Sequence, residues 1–331
     1  MLKRLTFSII GIIVLSLVPC LNASGFVIEM ITQILILSLF AVSLNILIGY
    51  TGMVSFGHSA FYGVGAYTLG IILQKTSLSI VSATVAAFCF AGVASLVIGF
   101  FCTRLTAIYF AMLTLAFSQV VYAIITKLDW LTGGYQGLIG GIPKPKIDFA
   151  LFTWDIGSTN GFYIFTVITV IISLLLINIV INSPFGCSLR AIKENDERTS
   201  YVGINVRLYQ LMAFVISGSF AGLAGALMAL YISGAYPNFV FWTTSAEPIF
   251  MILIGGASTF FGPVIGALVL FLLTSYLSAY TEFWGLVVGG ILVLFTAIVR
   301  AGIVEMVSRS HRWQSLKKSF ITIINRFYSF N

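Results

Sequence analysis

The sequence predicts an all-α fold: a polytopic transmembrane helical bundle of about 8–10 membrane segments, some broken or re-entrant, since roughly 20 apolar residues cross a bilayer. Three observations carry that expectation. Hydrophobic residues make up 59% of the 331-residue chain and charged residues only 8%, and the mean hydropathy is +1.07. Uncharged runs long enough to cross hydrocarbon recur from end to end. The alternating apolar–polar pattern of a membrane barrel is absent, so helices must satisfy the backbone in lipid.

The segments follow in order. Met1–Leu21 opens with Lys3 and Arg4 and runs apolar to Pro19. A secretory signal has the same shape, with a passable cleavage site at Asn22-Ala23-Ser24; a retained first span is favoured, because a chain with many later spans needs no removable signal. Val27–Ile48 is the second span, interrupted by Gln33 and Asn45. Gly49–Tyr67 then sets glycines at 49, 52, 57, 63 and 65 among Ser55, His58 and Ser59. Small residues four apart let helices approach closely, and glycines around a polar run also mark broken helices that line a cavity. Packing accounts for most of these glycines. Ile80–Cys102, ended by Arg104, and Ala107–Ile125, with Thr114, Ser118 and Gln119 inside it, are the next spans.

Lys127–Gly161 is the longest loop and is glycine-rich over Thr132–Pro143. No Gly-Lys-[Ser/Thr] and no strand–helix context accompanies those glycines, so no nucleotide-binding loop is read there. Beyond it, Ile164–Ile181 and Leu208–Leu230 flank the charged stretch Ser183–Val206, and the second of these spans has small residues at 218, 222 and 226. Ala246–Leu273 carries Glu247-Pro248 near its start. Gly255-Gly256 and Gly262-Pro263 break it into two half-segments or a re-entrant turn, and Gly256–Ala267 faintly echoes Gly52–Ala66 as an internal duplication would. Phe283–Val299 is the last clear span. The tail spaces Leu316, Phe320, Ile323 and Phe327 by three or four against Lys317, Lys318 and Arg326, the pattern of a basic helix on the inner membrane surface with lipids as its partner. The transmembrane domain is therefore 1–301, with 302–331 as a cytoplasmic tail.

The net charge of +7 reads as topology and calls for no nucleic acid. Basic residues gather at Lys3–Arg4, at 190–207 and at 300–326; cytoplasmic flanks favour Lys and Arg. Both termini and the 183–206 loop are expected inside, and the 127–161 loop outside. The inner loop holds Arg190, Lys193, Glu194, Asp196, Glu197 and Arg198. Arg190–Asp196 reads as a short helix with Gly203 as its stop. Leu189 and Ile192, three apart and opposite the charges, make it amphipathic. Such a helix pinned between two spans is either a handle for a partner outside the bilayer or a solvated loop that sets topology.

Catalytic and metal chemistry have little to work with. His58 and His311 are the only histidines, and no positioned acid accompanies His58, Ser55 and Ser59. Cys20, Cys89, Cys102 and Cys187 show no Cys-x-x-Cys spacing, so neither a disulfide framework nor a metal site is implied. No ladder of buried charges runs through the spans as ion-coupled pumps often need. A bundle that moves a solute without its own energy source takes energy from outside. A self-sufficient channel or secondary carrier, with His58, Glu247 and the glycine breaks as its filter, is the rival class, and a membrane enzyme using His58 a third.

The charged loop, and above all Leu44-Asn45 … Gly49-Tyr-Thr-Gly52 … Ser55-Phe-Gly57-His58 … Gly65-Ala66-Tyr67, resemble the permease subunits of bacterial ABC importers for branched-chain amino acids, the LivM/LivH type. Tyr109–Phe117, the Thr-Gly-Gly … Gly-Ile-Pro loop and Leu253–Ala267 share the resemblance, which covers most of 33–300. The family's acidic residue followed six positions later by glycine falls on Glu197 and Gly203; Arg198 and Thr199 replace the usual two small residues. The resemblance implies a non-catalytic permease in the bacterial cytoplasmic membrane, working with ABC ATPase subunits, a second homologous permease subunit, and a periplasmic or lipid-anchored binding protein that meets the outer loop. It implies ATPase coupling through Arg190, Lys193, Glu194, Asp196, Glu197 and Gly203, and no cofactor. Asn45, Ser55, His58, Ser59, Gln119 and Glu247 are the candidates for the translocation path. Branched-chain amino acids are the implied cargo; urea and short amides use similar permeases.

Overall fold

The computed structural model describes residues 24–105, 107–138, 141–144, 147–149, 152–298, 302–304 and 306. The expected span Met1–Leu21 and the tail helix around Leu316–Phe327 lie outside the described residues. The chain divides into two compact units between Ile249 and Phe250.

The first unit begins with α1, Gly25–Asn45, which runs on as a π-helical turn over Ile46–Thr51. Then come α2 (His58–Lys75), α3 (Ile80–Cys102), α4 (Ala107–Lys127) and the single turn α5 (Asp129–Thr132). A small antiparallel hairpin, β1 (Ile147–Phe149) with β2 (Phe152–Trp154), lies in the long loop; it departs from an otherwise all-α fold. There follow α6 (Thr159–Asn182), α7 (Pro184–Glu194), α8 (Asp196–Tyr201) and α9 (Val206–Ile232). Helix α10 (Trp242–Gly255) passes from the first unit into the second, which adds α11 (Gly262–Tyr280) and α12 (Trp284–Ile298). Six helices among the described residues are long and apolar enough to cross a membrane: α1 with its π turn, α3, α4, α6, α9 and α11. The polytopic helical bundle read from the sequence is therefore present.

Lipid tails are as apolar as a core, so hydrophobicity does not sort these faces; side-chain size does. Helix α3 turns Ala83, Ala87, Ala91, Gly92, Ser95 and Gly99 inward and Val81, Val85, Phe90, Val93, Val97 and Phe101 outward. Helices α1 and α9 are buried along most of their length and form the centre with α2. Backbones meet there: a Cβ on Gly65 would overlap the Gly222 carbonyl, and one on Gly225 the Tyr62 carbonyl. Gly222 also faces Ala91, and Gly218 faces Ser95. The small-residue stripe expected at 218, 222 and 226 is thus a packing face, and Gly225 adds a second backbone contact to α2 beside that of Gly222.

Polar residues set the ends. Ser79 Oγ accepts from Ser82 N–H at 3.3 Å, Ser158 Oγ from Gly161 N–H at 3.1 Å, and Asn205 Oδ1 from Leu208 N–H at 3.2 Å, which caps α3, α6 and α9. The helix ends also sort by side. Leu138 N–H and Ile142 N–H donate to the carbonyls of Ala235 and Ser233, and Gln74 to that of Gly141, so the ends of α2 and α9 and the long loop share one face of the first unit. On the opposite face, Lys193 reaches Gly49 and Arg190 reaches Ile181. This alternation is the one the basic residues required.

In the second unit, a Cβ on Gly266 would overlap the Met251 carbonyl, and one on Gly255 the Gly262 carbonyl. The second-unit part of α10 and α11 therefore fold back antiparallel across the expected break. At its 14 residues α10 is about 21 Å long, short of the ~30 Å hydrocarbon core. The faint echo between Gly52–Ala66 and Gly256–Ala267 has a backbone counterpart: each begins at a left-handed glycine just past a helix end, Gly52 at φ +78 and Gly256 at φ +104.

Replacing Gly222 by Leu forces α2 and α3 away from α9. Overpacking of this kind costs about 1–3 kcal/mol or more, so the expected outcome is a clearly lowered thermal midpoint in detergent. Gly285→Leu, where a Cβ meets nothing within 4 Å and the backbone is not left-handed, should give the smaller shift of the two.

Candidate functional site

Two groups of polar residues stand out, and the first is the charged loop. Pro184, preset for a first helical turn, starts α7 earlier than the Arg190 start read from the sequence, and α7 ends at Glu194. Asn195 is extended at φ −163, ψ 108, and its Oδ1 accepts from Arg198 N–H at 2.8 Å. The single helix expected through Asp196 is therefore two, because asparagine is a strong N-cap and Asp196 and Glu197 suit a first turn. Gly203, at φ +88, ends the second helix. Leu189 and Ile192 are buried as the amphipathic reading required.

The charges divide by direction. Arg190 Nη2 donates to the Ile181 carbonyl at 2.9 Å and Nε to that of Gly186 at 3.3 Å, with the guanidinium 5.9 Å from the Tyr50 ring centroid. Lys193 Nζ donates to the Gly49 carbonyl at 2.8 Å. All six charged residues of the loop are exposed, Glu194, Asp196, Glu197 and Arg198 as much as Arg190 and Lys193; what divides them is that the last two bond to carbonyls of the bundle. Beside them Tyr201 and Val202 are 80% and 81% exposed. Of the residues read as one handle, two cations are spent on the bundle and the acidic ones face away.

The second group is a seam of hydroxyls and amides inside the first unit. Ser43 Oγ lies 3.1 Å from His58 Nε2, and Ser217 Oγ donates to the Ser43 carbonyl, joining α1, α2 and α9. His58 is fully buried, its ring stacked on Phe40 and edge-on to Phe61. One residue on, Ser59 Oγ donates to the Val240 carbonyl at 2.9 Å, Ser118 Oγ to the same carbonyl at 3.0 Å, and Ser245 Oγ to Ser59 Oγ at 2.7 Å. Ser59 N–H donates in turn to Ser245 Oγ at 2.8 Å. Ser118 of α4 and Ser217 of α9 each lie about 16 Å from their helix starts at ~1.5 Å per residue, near mid-membrane.

Between the Lys193 face and that depth the chain is not helical. Gly52–Gly57 connects α1 to α2, held by Thr114, whose Oγ1 accepts from Phe56 N–H at 3.2 Å, and by Ser55, whose Oγ accepts from Gly57 N–H at 3.4 Å. Three buried polar atoms on the elements that meet here have no hydrogen-bond partner, Asn45 Oδ1, His58 Nδ1 and Gln119 Nε2, and further along α2 the same holds for Tyr67 Oη. Asn45 sits where α1 gives way to its π turn, and Gln119 beside Ser118 on α4. Glu247 is exposed on α10. His58, Ser59 and Ser55 thus belong to one seam or its connector. Ser43, Ser118, Ser217, Ser245 and the Val240 carbonyl complete it and were not singled out as site residues from the sequence. Serines in apolar helices mostly bond back to their own turn, as Ser38 does to Ile34, so nothing in the sequence separates those that cross between helices. Among the described residues no group of His, Cys, Asp or Glu gathers as a metal site would.

A helical membrane bundle with irregular, polar backbone at mid-depth and a charged helical loop on one face defines a membrane transport component. The chain belongs to the family described as branched-chain amino acid transport system / permease component, whose model matches residues 26–297. It is 27% identical over 318 residues to the high-affinity branched-chain amino acid transport system permease protein LivM of Escherichia coli K12, covering 90% of this chain and 74% of that one. A probable LivM permease protein of Methanocaldococcus jannaschii is 25% identical, over 69% and 74% of the two chains. LivH of Salmonella typhimurium is 23% identical, over 80% and 90%. No solved structure matches the chain.

Ser245→Ala removes both the hydroxyl that donates to Ser59 Oγ and the acceptor of the Ser59 N–H. Leaving such a buried donor unmatched costs about 1–3 kcal/mol. The expected outcome is a lowered thermal midpoint, with Ser245→Thr keeping most of the loss in check.

Proposed function

We propose that this chain is a permease subunit of an ATP-driven ABC importer that carries branched-chain amino acids across the bacterial cytoplasmic membrane. The observation that carries the coupling part of this reading is the two-sided charged loop: two cations fasten it to the ends of α1 and α6, and its acidic residues are exposed where another protein can reach them. ABC ATPase subunits engage the exposed face of α7 and α8 and hydrolyse ATP there; the permease itself does no chemistry. Similarity to both LivM and LivH supports pairing with a second, homologous permease subunit. A periplasmic or lipid-anchored binding protein meets the loop around 127–161. With the charged loop in the cytoplasm, the first unit's opposite face is external, and the positive-inside pattern supports both termini inside.

In this reading the substrate passes along the seam. Asn45, His58 and Gln119 present polar atoms for its amino and carboxylate groups, and Glu247 offers a carboxylate to the ammonium end. ATP binding displaces the charged loops and rocks the bundles between inward and outward access.

Uptake into liposomes decides between this reading and a self-sufficient channel. Branched-chain amino acid uptake should require the ATPase subunits and ATP, and persistent uptake by this chain alone would overturn it. The triple replacement of Glu194, Asp196 and Glu197 by alanine should leave membrane insertion intact and lower uptake about tenfold or more, within the 5–150-fold range of typical couplings. Normal uptake in that variant would remove the acidic face from the mechanism.

A further inference from the structure

The inward cations do more than hold a loop against a membrane face. A helix ends with carbonyls that lack partners within it and with partial negative charge. Arg190 serves the end of α6 in this way, through the Ile181 carbonyl, and α6 leads directly into α7. Lys193 serves a different helix, remote in sequence: its ammonium reaches the Gly49 carbonyl inside the π-helical turn that ends α1. Its stem lies over Gly52, where a Cβ would come within 3.2 Å of Lys193 Cγ. Gly52 N–H and Met53 N–H both turn back to the Leu47 carbonyl, so the Gly49 carbonyl is left for the lysine. Only a few residues separate this turn from Ser43 and Asn45 on one side and from the Gly52–Gly57 connector and His58 on the other.

We propose that Lys193 is a positioning residue that transmits movement of α7 to the π turn of α1, and through it to Asn45, Ser43 and His58 in the buried seam. This rests on the reading of 183–206 as the site of ATPase coupling. A π turn carries one residue more per hydrogen-bonded ring than the helix before it and recurs at functional sites. It has an α-helical alternative that turns the residues on either side relative to each other. Pulling on the Gly49 carbonyl acts on that choice. The exposed acidic residues receive the partner, and Lys193 passes the displacement inward.

The test uses the full transporter, with ATPase and partner permease, reconstituted in liposomes and carrying Lys193→Met, Lys193→Gln or Lys193→Arg. ATPase co-purification, ATP hydrolysis and substrate uptake are read on each. Lys193→Met should still bind the ATPase and hydrolyse ATP, while uptake per ATP falls about fivefold or more, the lower end of typical coupling factors. Lys193→Arg, which returns a cation to the helix end, should recover uptake per ATP to within about twofold of the starting protein. Unchanged uptake per ATP in Lys193→Met overturns the proposal. Failure of both Lys193→Met and Lys193→Gln to insert or to bind the ATPase also overturns it, since the contact would then be a brace. If the unaltered chain neither binds an ATPase nor needs ATP, the coupling reading itself has failed, a result that no Lys193 variant produces.

Discussion

Contact between the backbones of α2 and α9 is the constraint on which the first unit depends. Helices gain nothing from hydrophobicity by leaving lipid for each other, so association rests on close packing. Gly65 against Gly222 and Gly225 against Tyr62 bring two main chains together over about one turn. That contact fixes the depth at which α2 starts. Its first residues, His58 and Ser59, are thereby held at mid-membrane beside Ser43 of α1, Ser118 of α4 and the Val240 carbonyl. Were α2 displaced by a turn, about 5.4 Å, these hydroxyls would face apolar neighbours with no partner.

The charged loop is organised by sign. Two helix ends, of α1 and α6, converge where their last carbonyls need donors, and Arg190 and Lys193 supply them. Acidic residues on that face would be repelled by the same partial charges, and Glu194, Asp196 and Glu197 point to solvent. One short stretch thus has a side that the bundle must hold and a side that the bundle rejects. Leu189 and Ile192, buried between them, set the roll of α7.

Much of the fold was legible in the sequence because length and apolarity define a span almost alone. The charged loop, the glycine break at 255–262, the small-residue face of α9 and the placing of the two long loops on opposite faces of the first unit could all be read from the sequence. The division of the loop into two helices was missed although its signal was present: asparagine followed by two acids is a helix start. Helix α1 was traced only to Ile48 because nothing local distinguishes a π turn from an α turn; Lys193, far away in sequence, supplies the partner for its exposed carbonyl. The seam was legible at His58 and Ser59, where glycines surround them, and illegible at Ser43, Ser217 and Ser245. Thr32, Ser38 and Thr84 look the same in sequence and bond only to their own helices. Which hydroxyl crosses to a neighbour is decided by where packing puts it.

The first unit contains one contact built to stay rigid and another built of exchangeable bonds. The α2–α9 contact is rigid because backbone on backbone has no side chain to rearrange. The seam is of the other kind. Its irregular segments are satisfied largely by single hydroxyls, Thr114 for Phe56, Ser55 for Gly57, Ser245 for Ser59, and two serines for Val240. Each such bond contributes about 0.5–1.5 kcal/mol net, and a hydroxyl both donates and accepts, so partners exchange without stranding a buried group. Asn45, His58 and Gln119 add polar atoms that are free to take a new partner. The first unit thus joins a contact that cannot rearrange to a seam that can trade one set of weak bonds for another.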